Sequence, residues 1–308
     1  MVLKVPYRRE GRAQLGEITI NSDLVILDGG MGAELQRRAQ VRSELWSAQA
    51  LLDAPDTVAA VHQDYVAAGA QIIITNNYST IPSYLAKAGL AERYLELTRL
   101  AGEIARRAVQ APVQVAGSLP PLDESYRWDL VPSDEDARPI YLQLAQALNP
   151  YVDLFVCETM SCSREAYNAL SAAREVAGFD KPAWVAWTLD ERPGHGLRSG
   201  ETIAEAMAVL ADLRPDAYLF NCTTPEAISA GLAELATLTD KPTGAYPNRF
   251  FIPEGWTLDN EVATQYRDME VGEYVEFCRQ WRSLGARYIG GCCGIGPEFI
   301  AALAAEAL

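Results

Sequence analysis

Positive charge, histidine and long apolar runs are all scarce in this chain, and each shortage removes a class of function. The 308 residues carry 26 Lys and Arg against 41 Asp and Glu, a formal net charge of −15. Nucleic acid needs a basic patch and anionic lipid needs basic segments, so neither is an expected partner. A negative field is compatible with a cationic small molecule. No run of about 18 or more apolar residues occurs, so no membrane-spanning helix is expected. The opening segment, MVLKVPYRREGRAQ, has no apolar core behind its positive charges and does not read as a secretory signal. Six cysteines are too sparse for a disulfide scaffold, which points to a reducing, cytoplasmic setting. Only two histidines are present. His62 falls within a helical stretch and reads as a core or helix-face residue. His195, in GHGLRSG, reads as a loop residue.

What is present is a single repeating pattern. Short β-rich runs alternate with longer stretches of helical period. The runs are LVILDGG (24–30), QIIITNNY (71–78), VQVAGSL (113–119), LFVCETM (154–160), AWVAWTLD (183–190), AYLFNC (217–222), TGAYPN (243–248) and YIGGCCG (288–294). Continuous rather than alternating apolar runs fit parallel strands covered on both faces. Between them, DAPDTVAAVHQDYVAAGA starts at Asp53 and Pro55 and stops at Gly69, with Val58, Val61, Tyr65 and Val66 forming one apolar stripe. EAMAVLADL (205–213), PEAISAGLAELATL (225–238) and YVEFCRQWRSLG (274–285) behave alike. Strict βα alternation through eight units predicts an α/β chain forming one (β/α)8 TIM barrel domain. The alternative is a doubly wound open sheet, but GGMG after the first run has neither GxGxxG nor P-loop spacing. LPPLDESYRWDLVPSDEDARP (119–139) is the longest stretch without period, and is expected to be a functional loop.

A barrel of this kind places its site at the C-terminal ends of the strands. That selects Asp28 and Gly29 from the first run, Asn76 and Asn77 from the second, Glu158 from the fourth and Cys222 from the sixth. It also selects the vicinal pair Cys292 and Cys293 from the eighth. The sixth and eighth runs have one neighbour between them, so three cysteines scattered in sequence can meet across the mouth. Three thiolates hold a zinc ion and leave its fourth position open, the arrangement of a catalytic rather than a structural site. Small buried cysteines are the alternative, though that account explains a single cysteine better than a pair inside GGCCG.

These residues carry a resemblance. DGGMGAEL, SELWSAQALLDAPDTVAAVHQDYVAAGAQIIIT, the CET of the fourth run, the NC of the sixth and the terminal GGCCG run in order from Leu24 to Phe299. Together they resemble the zinc-dependent homocysteine S-methyltransferase family. The resemblance implies a (β/α)8 barrel with Zn2+ on Cys222, Cys292 and Cys293, and no catalytic side chain beyond that site. It implies that Asp28 and Gly29 hold homocysteine and that Glu158 meets its amino group. The chain departs from the pattern where GSLPPLDESYRWDL replaces GSxGP and TNNYST replaces TxSYQ. It also lacks the long C-terminal extension of betaine-using members.

Side-chain chemistry leaves some roles open. Asp28 could instead cap the following helix. Glu158 lies in an apolar strand, where a lone carboxylate is costly unless a cation such as an ammonium pairs with it. Cys157 should face the helices, opposite Glu158, and Cys162 and Cys278 read as structural. Trp46, Tyr78, Tyr126, Trp128 and Trp187 are candidates to face a cation, with the Tyr126–Trp128 segment best placed and Trp128 taken as the donor-site residue. The expected reaction methylates L-homocysteine to methionine from a sulfonium, S-methylmethionine or S-adenosylmethionine. A betaine donor, a selenocysteine or selenohomocysteine acceptor, and a non-catalytic zinc- or thiol-binding barrel are the alternatives.

Overall fold

The computed structural model describes residues 24–39, 45, 47–252 and 265–307. Eight strands form one sheet: β1 (Val25–Ile26), β2 (Ile72–Ile74), β3 (Gln114–Leu119), β4 (Leu154–Met160), β5 (Ala183–Trp187), β6 (Ala217–Asn221), β7 (Thr243–Tyr246) and β8 (Ala286–Ile289). Every neighbouring pair is parallel, in the order β1-β8-β7-β6-β5-β4-β3-β2. A parallel bridge from Leu27 to Ile72 brings the last strand back to the first. The sheet therefore closes on itself as a (β/α)8 barrel, as the alternation predicts.

The continuous apolar runs are explained by two apolar layers. Leu154, Val156, Trp184, Leu219 and Tyr246 pack inside the barrel, while Phe155, Cys157, Val185 and Phe220 pack outward against the helices. Side chains alternate along a strand. Glu158 thus points inward two residues after Val156, and Cys157 lies in the outer layer as expected. Cys162 and Cys278 are buried as well.

Helix ends follow the local chemistry. Pro55 opens the helix Pro55–Ala67, and Gly69 beyond it adopts φ +107°, a left-handed conformation that suits glycine. Val58, Val61 and Tyr65 of its stripe are fully buried, while Val66 is half-buried. Thr224 caps Pro225–Leu238, and Thr202 with Glu205 forms a capping box on Ile203–Val209. Among the described residues, no helix is long and apolar enough to cross a membrane.

Two boundaries differ from the sequence reading. The β ladders stop short of Asp28, Asn76, Asn77, Cys222, Asn248, Cys292 and Cys293, all of which lie in the turns just past the strands. Those turns are largely buried although several of their residues are polar, so no exposed break in the sequence marks where pairing ends. The expected loop 119–139 is also shorter. Ser133 accepts from the Asp136 amide and starts the helix Asp134–Leu148, whose first turn carries Asp134, Glu135 and Asp136. Acidic residues at a helix N-terminus are favoured by the dipole, and their polarity hides the helix from an apolar-period reading.

Candidate metal and substrate site

Glycines set the spacing of the mouth. A Cβ on Gly30 would meet the Cys292 carbonyl oxygen at 2.6 Å, and one on Gly290 would meet the Asp28 carbonyl oxygen at 2.7 Å. The turns after β1 and β8 are therefore in backbone contact, which only glycine permits. Hydrogen bonds fix that contact. The Gly291 amide donates to the Asp28 carbonyl at 2.9 Å, and the Cys292 amide to the Pro247 carbonyl at 2.9 Å. The Arg249 amide donates to the Cys293 carbonyl at 2.8 Å. Cys222 holds φ +50°, an uncommon conformation for a residue with a Cβ. Its amide donates to the Tyr246 carbonyl at 3.2 Å, and its carbonyl accepts from Thr188 Oγ1 at 3.1 Å.

These supports bring the three cysteines together. All three Sγ atoms lie within 4.8 Å of one another, and no other group of three potential ligands forms among the described residues. Cys222 and Cys292 are joined as a disulfide between the β6 and β8 turns, with Cα atoms 5.8 Å apart. Cys293 is free, its Sγ 4.0 Å from that of Cys292. The same convergence that suits a metal puts two sulfurs within bonding reach. In its thiol form the set fits a soft divalent metal, since three sulfur donors meet at one point from two turns. Metal and disulfide are alternatives at the same atoms.

Two carboxylates face the same mouth. Asp28 is 4% exposed, and its Oδ2 accepts from the Ile74 amide at 2.9 Å. Glu158 is 7% exposed, with Oε1 accepting from Ser118 Oγ at 2.5 Å and Oε2 from the Tyr246 hydroxyl at 3.4 Å. Burial pushes the Glu158 carboxyl up to about 7, against the pull of those two hydroxyls. Burial also holds Asp28 well above the usual carboxylate range, and the nearby charge of Glu158 adds to it. Among the described residues neither carboxylate has a cationic partner. Next to Glu158, Thr159 takes φ +59° and exchanges two hydrogen bonds with the Asn221 amide at 2.9 and 2.8 Å. That bracket ties the end of β4 to the residue before Cys222.

The remaining sequence candidates fall in three places. Asn77 is occupied structurally, accepting from Thr75 Oγ1 at 2.6 Å and donating to the Ser118 carbonyl at 3.0 Å. Asn76 donates to the Ser47 carbonyl at 3.2 Å. Gly29 is pressed between Tyr65 and the Ile295 carbonyl, with no room for a side chain. Trp128 is 49% exposed in a short 3-10 turn, whereas Tyr126 packs with Phe250, Ile252 and Cys293. Trp187 is buried in the outer layer and stacks on Tyr218, and Tyr78 bonds Ser125 Oγ at 2.7 Å. Trp46 lies outside the described residues. His62 is fully buried with neither ring nitrogen hydrogen-bonded, and burial drops its pKa to about 3, so it is a neutral core residue. Sequence reasoning passed over Ser118, which the barrel rule could have found as a polar residue near the end of β3. It also passed over Arg198, for which no motif gave a signal.

Comparison with known proteins agrees with this geometry. A family model described as homocysteine S-methyltransferase matches residues 25–307. The homocysteine S-methyltransferase of Escherichia coli K12 is 33% identical over 92% of this chain and 95% of its own. The metallated form of the E. coli homocysteine methyltransferase MmuM superposes with a TM-score of 0.76 at 30% identity, covering 92% of this chain and 96% of that one. Its oxidized form gives 0.77 at 30% identity over 94% and 98%. With a barrel, a cysteine cluster and a match running nearly end to end, the chain belongs to the homocysteine S-methyltransferase family.

Proposed function

We propose that this chain transfers a methyl group from a sulfonium, S-methylmethionine, to the thiol of L-homocysteine, with zinc held by Cys222, Cys292 and Cys293. One observation carries the reading: three converging sulfurs share a mouth with two buried carboxylates that lack a countercharge. An unpaired buried carboxylate is costly, and a bound ammonium removes that cost. Glu158 and Asp28 thus select an amino-acid acceptor and aim its side chain at the sulfurs. Gly29 lets the β1 turn pack against Tyr65 and the Ile295 carbonyl and so sets the position of Asp28, while Asn76 and Asn77 hold the β2 turn beside it.

A free thiol has a pKa near 8.5 and is only a few per cent thiolate at pH 7. Bound zinc supplies deprotonation of a coordinated thiol and so removes the need for a general base. His62, buried and neutral, is not available for that task. In the transfer, the homocysteine sulfur forms a bond to the methyl carbon as the methyl–sulfonium bond breaks. The electron pair stays on the departing sulfur and the thiol proton goes to solvent. With S-methylmethionine both products are methionine. The residues around the cysteines need only hold the reacting atoms in line, about 3–3.5 Å apart.

A donor panel with homocysteine tests the reading, with methionine formation as the readout and metal content measured on the same protein. Turnover with S-methylmethionine and about one zinc per chain are expected. Efficient turnover from methyltetrahydrofolate, or undiminished activity in protein stripped of metal, would overturn it.

A further inference from the structure

The loop joining β5, the neighbour of β4, to the helix Ile203–Val209 carries a second charged group. Arg198 is 11% exposed at its side chain, and its Nη2 donates to Glu191 Oε1 at 2.8 Å. Its Nε approaches Thr188 Oγ1 at 3.4 Å, and Thr188 Oγ1 in turn donates to the Cys222 carbonyl at 3.1 Å. The guanidinium also lies 5.1 Å from the centre of the Tyr126 ring, and Tyr126 shares the Phe250–Ile252 cluster with Cys293, close enough for the two to interact electrostatically. Arg198 is thus one side chain removed from two of the three clustered cysteines.

This group has unused bonding capacity. Glu191 Oε2 is buried and makes no hydrogen bond of ordinary geometry, although the Ile252 amide and the Thr224 hydroxyl lie near the carboxyl. Burial holds that carboxyl above its usual range although Arg198 pulls the other way. Asn248, 1% exposed in the turn after β7, has neither amide atom hydrogen-bonded although it lies beside the Tyr126 hydroxyl. Arg198 offers five N–H donors, of which these contacts use two. Buried polar atoms without partners are rare in folded proteins, and a ligand that completes them is one explanation.

We propose that Arg198 and Glu191 clamp the amino-acid end of the methyl donor, Arg198 taking its α-carboxylate and Glu191 its α-ammonium. The inference rests on the proposed function and narrows the donor to a zwitterionic sulfonium amino acid. An ion pair is neutral as a unit, and a zwitterion meets both halves without adding net charge. The planar guanidinium fork matches a carboxylate in a way lysine does not. Tyr126 offers a ring face to the sulfonium beside Cys293. A betaine has no N–H to give and would leave Glu191 Oε2 unpaired.

The test compares three sulfonium donors with homocysteine as acceptor: S-methylmethionine, its decarboxylated analogue (3-aminopropyl)dimethylsulfonium, and its deaminated analogue 4-(dimethylsulfonio)butanoate. The unaltered enzyme should favour S-methylmethionine over each analogue by at least about tenfold in kcat/KM, as for one lost charged contact. Arg198→Met should raise KM for S-methylmethionine about tenfold or more, leave KM for homocysteine within about twofold, and erase the preference over the decarboxylated analogue. Glu191→Gln should erase the preference over the deaminated analogue instead. Arg198→Lys, which keeps the positive charge, covers the case in which Arg198→Met does not fold, and should reduce the same preference in part. A structural tie for the loop predicts equal losses for all donors and for homocysteine, and that result would overturn the clamp. Equal use of all three donors by the unaltered enzyme would overturn it too, while leaving the proposed function standing. No turnover with any sulfonium would instead remove the proposed function and the clamp together.

Discussion

The carboxylates and the cysteines share one mouth but are held there by different means. Glu158 lies within β4, one residue past its last pairing with β3 and at the register shift against β5. It points inward two residues after Val156, while Asp28 in the turn after β1 is tied to β2 through the Ile74 amide. The cysteines lie beyond the ladders, in turns kept in register by backbone hydrogen bonds and by glycines at 30, 290 and 291. A strand can hold a buried charge unpaired because the sheet, rather than the charge, fixes its position. Three sulfurs on turns have no such frame, and stay together only while the neighbouring turns remain in contact. The acceptor half of the site is therefore stiff and electrostatically strained. The sulfur half is unstrained in charge but depends on packing.

The largest expected effect separates the two halves by composition. Cys222→Ser, Cys292→Ser and Cys293→Ser should each remove bound zinc and lower turnover more than about 100-fold, beyond what loss of a mere supporting contact does. Cys157→Ser, Cys162→Ser and Cys278→Ser should keep both. Metal analysis beside a methionine assay decides it, and full zinc occupancy in Cys292→Ser would break the assignment.

Glu158→Gln should act on the other half alone. Homocysteine use should fall by about 2–5 kcal/mol in kcat/KM, the range for losing one partner of a buried charge pair, with zinc content unchanged. Stability should move the opposite way. The folded protein keeps a proton on Glu158 up to about pH 7, whereas the unfolded chain releases it near 4.5. This group therefore destabilises the fold as pH rises through that window, by up to about 1.4 kcal/mol per pH unit. Thermal unfolding at pH 5 and pH 8 should show a smaller loss in the Gln variant than in the parent. A variant with unaltered kinetics would move Glu158 to a structural role.

Gly290→Ala sharpens the comparison, since its Cβ would press on the Leu27 side chain and the Asp28 carbonyl. Overpacking at a rigid contact costs about 1–3 kcal/mol. The variant should lose stability by that amount and bind both zinc and homocysteine more weakly. Normal zinc affinity in a folded Gly290→Ala protein would show that the sulfurs do not depend on this contact. The smallest effect is expected at Trp128. Half-exposed and away from the cysteine-facing Tyr126, it should change the donor KM less than about twofold on replacement by Ala, within the range of surface substitutions. A donor-specific rise of about tenfold would place it in the site after all.

The barrel itself could be read from the sequence because burial on both faces makes each strand a continuous apolar run, and eight such runs alternate with helical stretches. Helix stops such as Gly69 were equally plain, since the left-handed conformation there asks for glycine. The inward turn of Glu158 and the outward turn of Cys157 followed from the period of two. Strand ends did not, because the turns at the mouth are largely buried too, and where backbone pairing stops is not written in residue type. The barrel rule puts Asn221 and Tyr246 at strand ends and could have found Ser118, but not whom they bond. Their partners lie 62, 88 and 40 residues away, and no local pattern encodes such distances.

The sequence by itself determined the chemistry on offer: a cysteine pair between glycines and a third cysteine at another strand end, two acidic residues at strand ends, and an alternation that fits a barrel. Those are properties of residue type and period, which act locally along the chain. Only the tertiary structure decided which groups share a point in space and which lack a partner there. It brought Cys222, Cys292 and Cys293 to one point, left Glu158 and Asp28 without a cation among the described residues, and set Arg198 beside Thr188 and Tyr126. Pairing and desolvation depend on what surrounds a group from every direction, and that is settled when the eight strands close the ring.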